Sequence, residues 1–235
     1  MKIALSAGHN VIINGIFDVG AVGNSKREAD ITKETVKILI PLLERQGHAV
    51  LDVTPYNEKF KDRETHHQLR CKRVDEFKAD LYLDVHINAG GGTGTECWVY
   101  SNTSKAYSYA DKICKSISKN LDLKNRGVKI NPTYWSLKFC KAPAIIIEGA
   151  FIDNKEDMEK LTPEKYAKAI ASVFGEVKEV KEVEEINNKD VSNWAKEAWN
   201  WAIKNKITDG TRPKDNATRE EIITILYRFF KEMIK

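Results

Sequence analysis

Residues 79–89 read Ala79-Asp80-Leu81-Tyr82-Leu83-Asp84-Val85-His86-Ile87-Asn88-Ala89. Residues 81–85 form a short, mostly apolar run of the kind that marks a strand buried on both faces, and the run gives out at His86-Ile87-Asn88. Two other segments repeat the pattern. Residues 1–6 read as a buried strand ending in Ala7-Gly8-His9, and Ala144-Ile145-Ile146-Ile147 delivers Glu148 in the same way. If these three strands run parallel, their carboxyl ends share one edge of a sheet, where open α/β sheets place their ligand crevice. Two histidines and a glutamate then meet at that edge. Glu28, just ahead of a long amphipathic pattern, is a fourth member.

The segments between the strands support a parallel sheet. Ile31, Thr35, Ile38, Leu39, Leu42 and Leu43 recur at the three-to-four spacing of a core-facing helix, which predicts a helix over 31–46 closed by Gly47. Residues 48–53 read as the next strand, 63–78 as a second helix, 95–100 as a strand and 104–120 as a helix. Thr162-Pro163-Glu164 opens the last one, with proline in its first turn. This βαβαβ order predicts an α/β fold: a three-layer, mostly parallel sheet with flanking helices, followed by a small α-helical C-terminal module.

His9, Glu28 and His86 form the donor set of a catalytic zinc site, with nitrogen and oxygen ligands and an open position for water. Glu148 is then the nearby base. Each residue also has a plainer role. A histidine at a strand end is commonly a hydrogen-bonded loop residue, and Ser25-Lys26-Arg27-Glu28 has the form of a helix capping box. Burial can raise the pKa of Glu148 whether or not it is catalytic. The four together are far less easily explained by those roles than any one alone.

With these residues in place, the chain resembles the zinc-dependent N-acetylmuramoyl-L-alanine amidases, a family that includes many phage endolysins and bacterial autolysins. The resemblance runs from Lys2 to His9, through Glu28, to Ala79-Asp80-Leu81-Tyr82-Leu83-Asp84-Val85-His86-Ile87-Asn88-Ala89. It continues in Gly94-Thr95-Glu96, Asn125-Arg126-Gly127-Val128-Lys129 and the segment from Ala142-Pro143 through Glu148 to Asn154, covering residues 1–175 in the family's order. It implies His9, Glu28 and His86 as Zn2+ ligands and Glu148 as the catalytic acid/base for cutting the amide between muramic acid and L-alanine. Arg126, Lys129 and Asn88 are the candidate substrate-binding residues. One departure is Gly149-Ala150-Phe151, where many members carry two glycines or Leu-Gly before the phenylalanine. A zinc peptidase acting on stem peptides and a non-catalytic wall-binding protein are the competing functions.

Net charge is +4, and it arises within residues 1–175, since Lys plus Arg balances Asp plus Glu in 176–235. That suits an anionic wall polymer such as peptidoglycan, and no Lys/Arg block is dense enough to indicate nucleic acid. Cys71, Cys97, Cys114 and Cys140 include no Cys-x-x-Cys pair and read as reduced, mostly buried small hydrophobes, with a disulfide between two of them left open. No apolar stretch approaches the ~20 residues of a membrane span. Met1-Lys2 runs straight into the first strand, leaving no room for a secretory signal. The expectation is synthesis in the cytoplasm and action on the wall after release, through holin lesions in the manner of a phage endolysin. A mother-cell lysin or another prophage-derived enzyme also fits.

Asn10 to Arg27 with Gly15, Gly20 and Gly23, and the run Gly90-Gly91-Gly92, are read as loops shaping a substrate groove. Residues 176–189 are a charged linker ahead of a module over 190–235. There Trp194, Ala198, Trp201 and Ala202 share one helical face and Ile222, Ile225, Leu226, Phe229 and Met233 another, with Trp199 expected to be the exposed aromatic. Thr218-Arg219-Glu220-Glu221 forms a capping box, and Asp209-Gly210-Thr211 the turn between the helices. Together with Trp194-Ala195-Lys196-Glu197-Ala198 these residues resemble a single S-layer homology repeat, shortened after Thr211. That resemblance implies secondary cell-wall polysaccharide as a partner. So small a module buries little surface alone, which makes a homodimer through it a further expectation.

Overall fold

The computed structural model describes residues 1–175, 191–204 and 214–233, except for the side chains of Lys204 and 228–233. The chain divides into two compact units, Met1–Lys178 and Glu179–Lys235. In chain order the first unit carries β1 (Lys2–Ala7), four short strands β2 (Ile12–Ile13), β3 (Ile16–Phe17), β4 (Val22–Gly23) and β5 (Lys26–Arg27), then α1 (Glu28–Arg45), β6 (Ala49–Asp52), β7 (Lys59–Phe60) and α2 (Arg63–Phe77). It continues with β8 (Leu81–Asn88), β9 (Thr95–Val99), α3 (Tyr107–Leu121), β10 (Asn125–Ile130), α4 (Trp135–Phe139), β11 (Ala144–Phe151), α5 (Lys155–Lys160) and α6 (Pro163–Ala171).

The main sheet has six strands in the order β10-β9-β11-β8-β1-β6. β6, β1, β8 and β11 are mutually parallel, β9 pairs antiparallel with β11, and β10 follows β9 in parallel. Side chains alternate across it with the period of two that strand geometry imposes. Leu5, Leu83, Val85, Ile145 and Ile147 point to one face, against Leu39 and Leu43 of α1, Ile113 and Ile117 of α3 and Ile170 of α6. Ala4, Tyr82, Ala144 and Ile146 point to the other, against Val74 of α2 and Leu137 of α4. Both faces are covered, so the three-layer, mostly parallel architecture predicted from the apolar runs is the one observed. The alternation also sends Asp84, His86 and Asn88 to the α2/α4 face.

Several boundaries differ from the sequence expectation. β8 continues through Asn88 and β11 through Phe151, so His86 and Glu148 lie within the ladder, in register with each other, and a bulge follows Glu148. Backbone pairing is indifferent to side-chain polarity, and neighbouring strands supply partners beyond the apolar run. β10 forms where the sequence carried no strand signal, because an edge strand tolerates the Arg, Gly and Lys that the apolar pattern excludes. α4 and α5, of five and six residues, are too short to register as periodic segments.

The predicted capping box at Ser25 does not form. β4 and β5 pair antiparallel around Asn24 and Ser25, whose φ values of 48° and 59° are the left-handed pair that a two-residue hairpin loop requires. Ser25 is consumed by that turn, and the N-cap of α1 is Arg27, with no side-chain cap. Glu28 is thereby left free for another partner. The cysteines are corrected too: Cys71 and Cys140 form a disulfide linking α2 to the end of α4, while Cys97 and Cys114 are buried free thiols. Nothing in the sequence singled out that pair, whose members lie 69 residues apart.

Two histidine rings on α2, one buried and one half-buried, predict an acid limb of stability. His66 is 3% exposed and His67 half-buried, and burial pushes their pKa values down to about 4 and about 3. Both folded values lie below the unfolded 6.5, so the neutral rings are favoured by folding. This contribution is complete above about pH 6.5 and erodes as the pH falls towards 4, by at most about 1.4 kcal/mol per pH unit for each ring. His67→Phe, which keeps a ring against Trp135, should flatten the urea-midpoint curve between about pH 6.5 and 4.5. Identical acid limbs in variant and wild type would refute this.

In the second unit a 3₁₀ turn, Asn193–Ala195, precedes α7 (Lys196–Lys204), and α8 spans Arg219–Met233. The capping box is formed: the Thr218 amide donates to Glu221 Oε2 at 2.8 Å and the Glu221 amide to Thr218 Oγ1 at 3.2 Å. Because the α-helix begins only at Lys196, Trp194 lies ahead of it and is 88% exposed. Trp199, expected to be the exposed aromatic, is half-buried, and Trp201 is 51% exposed. The linker 176–189, the turn Asp209-Gly210-Thr211 and the side chains of Phe229 and Met233 lie outside the described residues. Among the described residues no helix is long and apolar enough to cross a membrane.

Candidate metal centre and active site

β1 ends in Gly8-His9, where His9 and Asn10 both adopt left-handed backbone, at φ 62° and 65°. Such a conformation is costly for non-glycine residues unless the surroundings impose it. Here the Asn10 side chain imposes it, donating from Nδ2 to Gly8 O at 2.8 Å and Ala29 O at 3.0 Å. The turn swings the His9 ring over the sheet edge towards His86, and the two ring centroids lie 5.2 Å apart.

Glu28, 3% exposed at the first turn of α1, sits between the rings. Its Oε2 lies 3.0 Å from His9 Nε2 and its Oε1 2.9 Å from His86 Nδ1. The backbone amides of Ala21 and Ile87 donate to the same two oxygens at 2.9 and 3.0 Å. The fit is close: a side chain on Gly20, at φ +68°, would meet Glu28 Oε2 and His9 Cδ2 at 2.6 Å, and one on Gly8 would strike the His86 ring. Burial works against the Glu28 charge, but the hydrogen bonds to His86 and His9 outweigh it and hold the carboxyl well below its ordinary range. Burial likewise lowers His9 and His86, yet Asp18 and Glu28 for the first ring, and Asp84 and Glu28 for the second, carry both above the usual histidine value.

The ligating atoms offered by His9, Glu28 and His86 all lie within 4.8 Å of one another. Each imidazole turns one nitrogen to this point and gives the other to a carboxylate. His9 Nδ1 is 2.9 Å from Asp18 Oδ2, and His86 Nε2 is 3.4 Å from Asp84 Oδ1. A carboxylate behind each ring fixes its orientation and tautomer, the outer-shell arrangement that histidine ligands of metals commonly show. Two imidazoles and one carboxylate so held fit a divalent metal. Sequence reasoning passed over both supporting carboxylates. Asp84 could have been found, since period two puts it on the face of His86; Asp18, in a glycine-rich loop, carried no such signal.

Glu148 lies on β11 with His86 opposite on β8 and Glu96 opposite on β9. Its Oε2 is buried and has no hydrogen-bond partner among the described residues, and burial pushes the carboxyl up to about 7, with the Glu28 and Glu96 charges adding to the rise. Tyr166, fully buried on α6, donates to His86 O at 3.1 Å and Ile147 O at 3.0 Å, tying the strand that carries His86 to the one that carries Glu148. Its ring fills the space a side chain on Gly149 would need.

The candidate substrate residues are only partly gathered. Asn88 Nδ2 donates to Glu96 Oε1 at 2.9 Å and Arg126 Nε to Glu96 Oε2 at 2.7 Å, with the guanidinium over the Phe151 ring. Both therefore converge on Glu96, a buried carboxylate to which the sequence reading gave no role. Lys129 is opposite Trp98, itself opposite Ile146, one side-chain row away from Glu148. Of the two predicted groove loops, Gly90 and Gly91 donate their amides to Asp153 Oδ2 at 2.9 and 2.7 Å.

Residues 3–176 match the family described as N-acetylmuramoyl-L-alanine amidase. An uncharacterized protein of Clostridium perfringens is 31% identical over 224 residues, covering 92% of this chain and 63% of that protein. The N-acetylmuramoyl-L-alanine amidase CwlM of Bacillus licheniformis is 31% identical over 174 residues, covering 73% of this chain and 64% of its own length. The chain thus spans somewhat under two thirds of these relatives. Among solved structures, the catalytic domain of the CD27L endolysin targeting Clostridia Difficile is 31% identical with a TM-score of 0.67, covering 74% of this chain and 96% of that one.

Proposed function

Because the chain belongs to the N-acetylmuramoyl-L-alanine amidase family, we propose that it is a zinc-dependent peptidoglycan hydrolase that cuts the amide between the lactyl group of muramic acid and L-alanine. The observation that carries this is the convergence of His9, Glu28 and His86 on one point beside a glutamate whose buried Oε2 has no hydrogen-bond partner among the described residues. His9 Nε2, Glu28 and His86 Nδ1 would hold the metal, which when bound supplies Lewis acidity towards the amide carbonyl and lowers the pKa of water.

The chain's own residues account for the remaining chemistry. Glu148, held near neutrality by burial, is matched to take a proton from the attacking water on Oε2 and return it to the departing alanine nitrogen. Asp18 and Asp84 keep both imidazoles aimed while this happens. Tyr166 holds the separation of the His86 and Glu148 strands. Asn88 and Arg126, braced on Glu96, would line the approach of the stem peptide, whose carboxylates an arginine pairs well; Lys129 would act from the next row.

The likeness to an endolysin catalytic domain supports a phage or prophage role in host lysis. We assign the second unit to wall attachment, supported by the highly exposed Trp194 and the resemblance to an S-layer homology repeat, with secondary cell-wall polysaccharide as its partner. Digestion of purified Gram-positive walls tests the catalytic reading. New alanine amino termini without new reducing sugar ends, abolished by a chelator and restored by zinc, are expected. Amino termini of any other residue would assign the enzyme to the stem-peptide peptidases.

A further inference from the structure

Asp84 is a fully buried carboxylate gripped from three elements. Its Oδ1 accepts from Ser6 Oγ at 2.5 Å and lies 3.5 Å from Arg70 Nη1, and its Oδ2 accepts from Ser136 Oγ. The same Oδ1 faces His86 Nε2 at 3.4 Å. Arg70, 1% exposed on α2, reaches further: it donates to Ala7 O at 2.9 Å and His9 O at 2.6 Å. One guanidinium therefore holds both the backbone of His9 and the carboxylate behind His86.

Two of the three gripping segments, those of α2 and α4, are covalently joined. Cys71 immediately follows Arg70, and Cys140 lies one helical turn beyond Ser136; their disulfide brings the two Cα atoms to 4.7 Å. The tie matters most for α4. A helix of five residues with no side-chain cap has too few hydrogen bonds to offset its nucleation cost, so its position depends on what it is fastened to.

We propose that Asp84 is the positioning residue for His86 in the metal centre, and that the Cys71–Cys140 bridge keeps closed the α2 and α4 segments that grip it, so that reducing the bridge weakens metal binding. This rests on the zinc reading given above. In the reducing step a dithiol attacks one sulfur and the S–S bond breaks. The dithiol gives up two electrons and two protons and leaves as a disulfide, and Cys71 and Cys140 take them up as thiols. A surface hollow of about 380 Å³, whose lining includes Cys71, Asp75, Glu76 and Lys141, opens beside the bridge, in which Cys71 is 3% exposed and Cys140 half-buried. With the tether cut, Ser136 can withdraw from Asp84 Oδ2, leaving the carboxylate held through Oδ1 by Ser6 and Arg70 alone, and its aim at His86 Nε2 loosens.

The test is zinc affinity of the full chain, by competition with a chromophoric chelator, for the oxidised protein, the reduced protein after removal of reductant, and the reoxidised protein. Asp84→Asn and Ser136→Ala are measured beside them, with circular dichroism as the check of folding. Reduction should raise the zinc Kd about tenfold and reoxidation restore it, while Asp84→Asn raises it by about ten- to a hundredfold. Because both act through one carboxylate, reducing the Asp84→Asn protein should add less than about twofold. Ser136→Ala, which loses one hydroxyl and keeps the bridge, should reproduce part of the reduction effect even if Asp84→Asn does not fold. An unchanged Kd on reduction of the folded wild type, or multiplicative effects of reduction and Asp84→Asn, would overturn the proposal while leaving the zinc reading intact. Failure of the oxidised wild type to bind zinc overturns both.

Discussion

Glu148→Gln should lower wall hydrolysis about a thousandfold while leaving the bound metal in place, the scale at which loss of a positioned acid/base is felt. Glutamine keeps the shape of the side chain and removes only its ability to exchange a proton. Because Glu148 Oε2 has no hydrogen-bond partner among the described residues, the substitution breaks no hydrogen bond at that atom. The sign of the stability effect follows from the pKa. A carboxyl raised by burial to about 7 favours folding in its protonated form, and that contribution is lost as the pH rises from the unfolded value of about 4.5 through 7. The metal-free variant should therefore be at least as stable as wild type at pH 8. Lost activity with undiminished stability and metal content would single out proton transfer. More than about a tenth of wild-type activity in the glutamine variant would remove Glu148 from that role.

His86→Ala should have the second large effect, and of a different kind. It removes a candidate ligand and also strips a partner from two buried carboxylates, Glu28 at 3% exposure and Asp84 at none. Zinc content is expected to fall from about one per chain in wild type to near none, and the stabilisation expected of wild type on adding zinc should be absent from the variant. Removing one member of a buried ionic cluster typically costs about 3–5 kcal/mol, which should appear as a lower urea midpoint without metal. Tight stoichiometric zinc in His86→Ala would place the metal centre elsewhere.

The order of most of the long strands and helices was legible because apolar runs and three-to-four periodicities record burial directly, and both faces of this sheet are buried, whereas the short strands β2–β5 and β7, the edge strand β10 and the short helices α4 and α5 were not. The boundaries were less so. His86 and Glu148 were read as residues beyond their strands, whereas neighbouring backbones carry the ladder past them. Ser25 and Glu28 match a capping box in spacing, yet the two-residue turn at Asn24-Ser25 takes the serine away and leaves the glutamate to the histidines. Local sequence offered two uses for Glu28, and the hairpin decided between them.

By itself the sequence determined that buried strands would end near His9, His86 and Glu148, that helices would cover a mostly parallel sheet, and that residues of metal-binding type would come to one edge. Those follow from periodicity and residue chemistry, which act over a few neighbouring positions. The tertiary structure alone decided that Asp18 and Asp84 would stand behind the two imidazoles, that Asn88 and Arg126 would both turn to Glu96, and that Cys71 would find Cys140 across 69 residues. Each of these is a contact between elements remote in the chain. Such a contact is set by strand register and helix placement, and no short window of sequence carries that information.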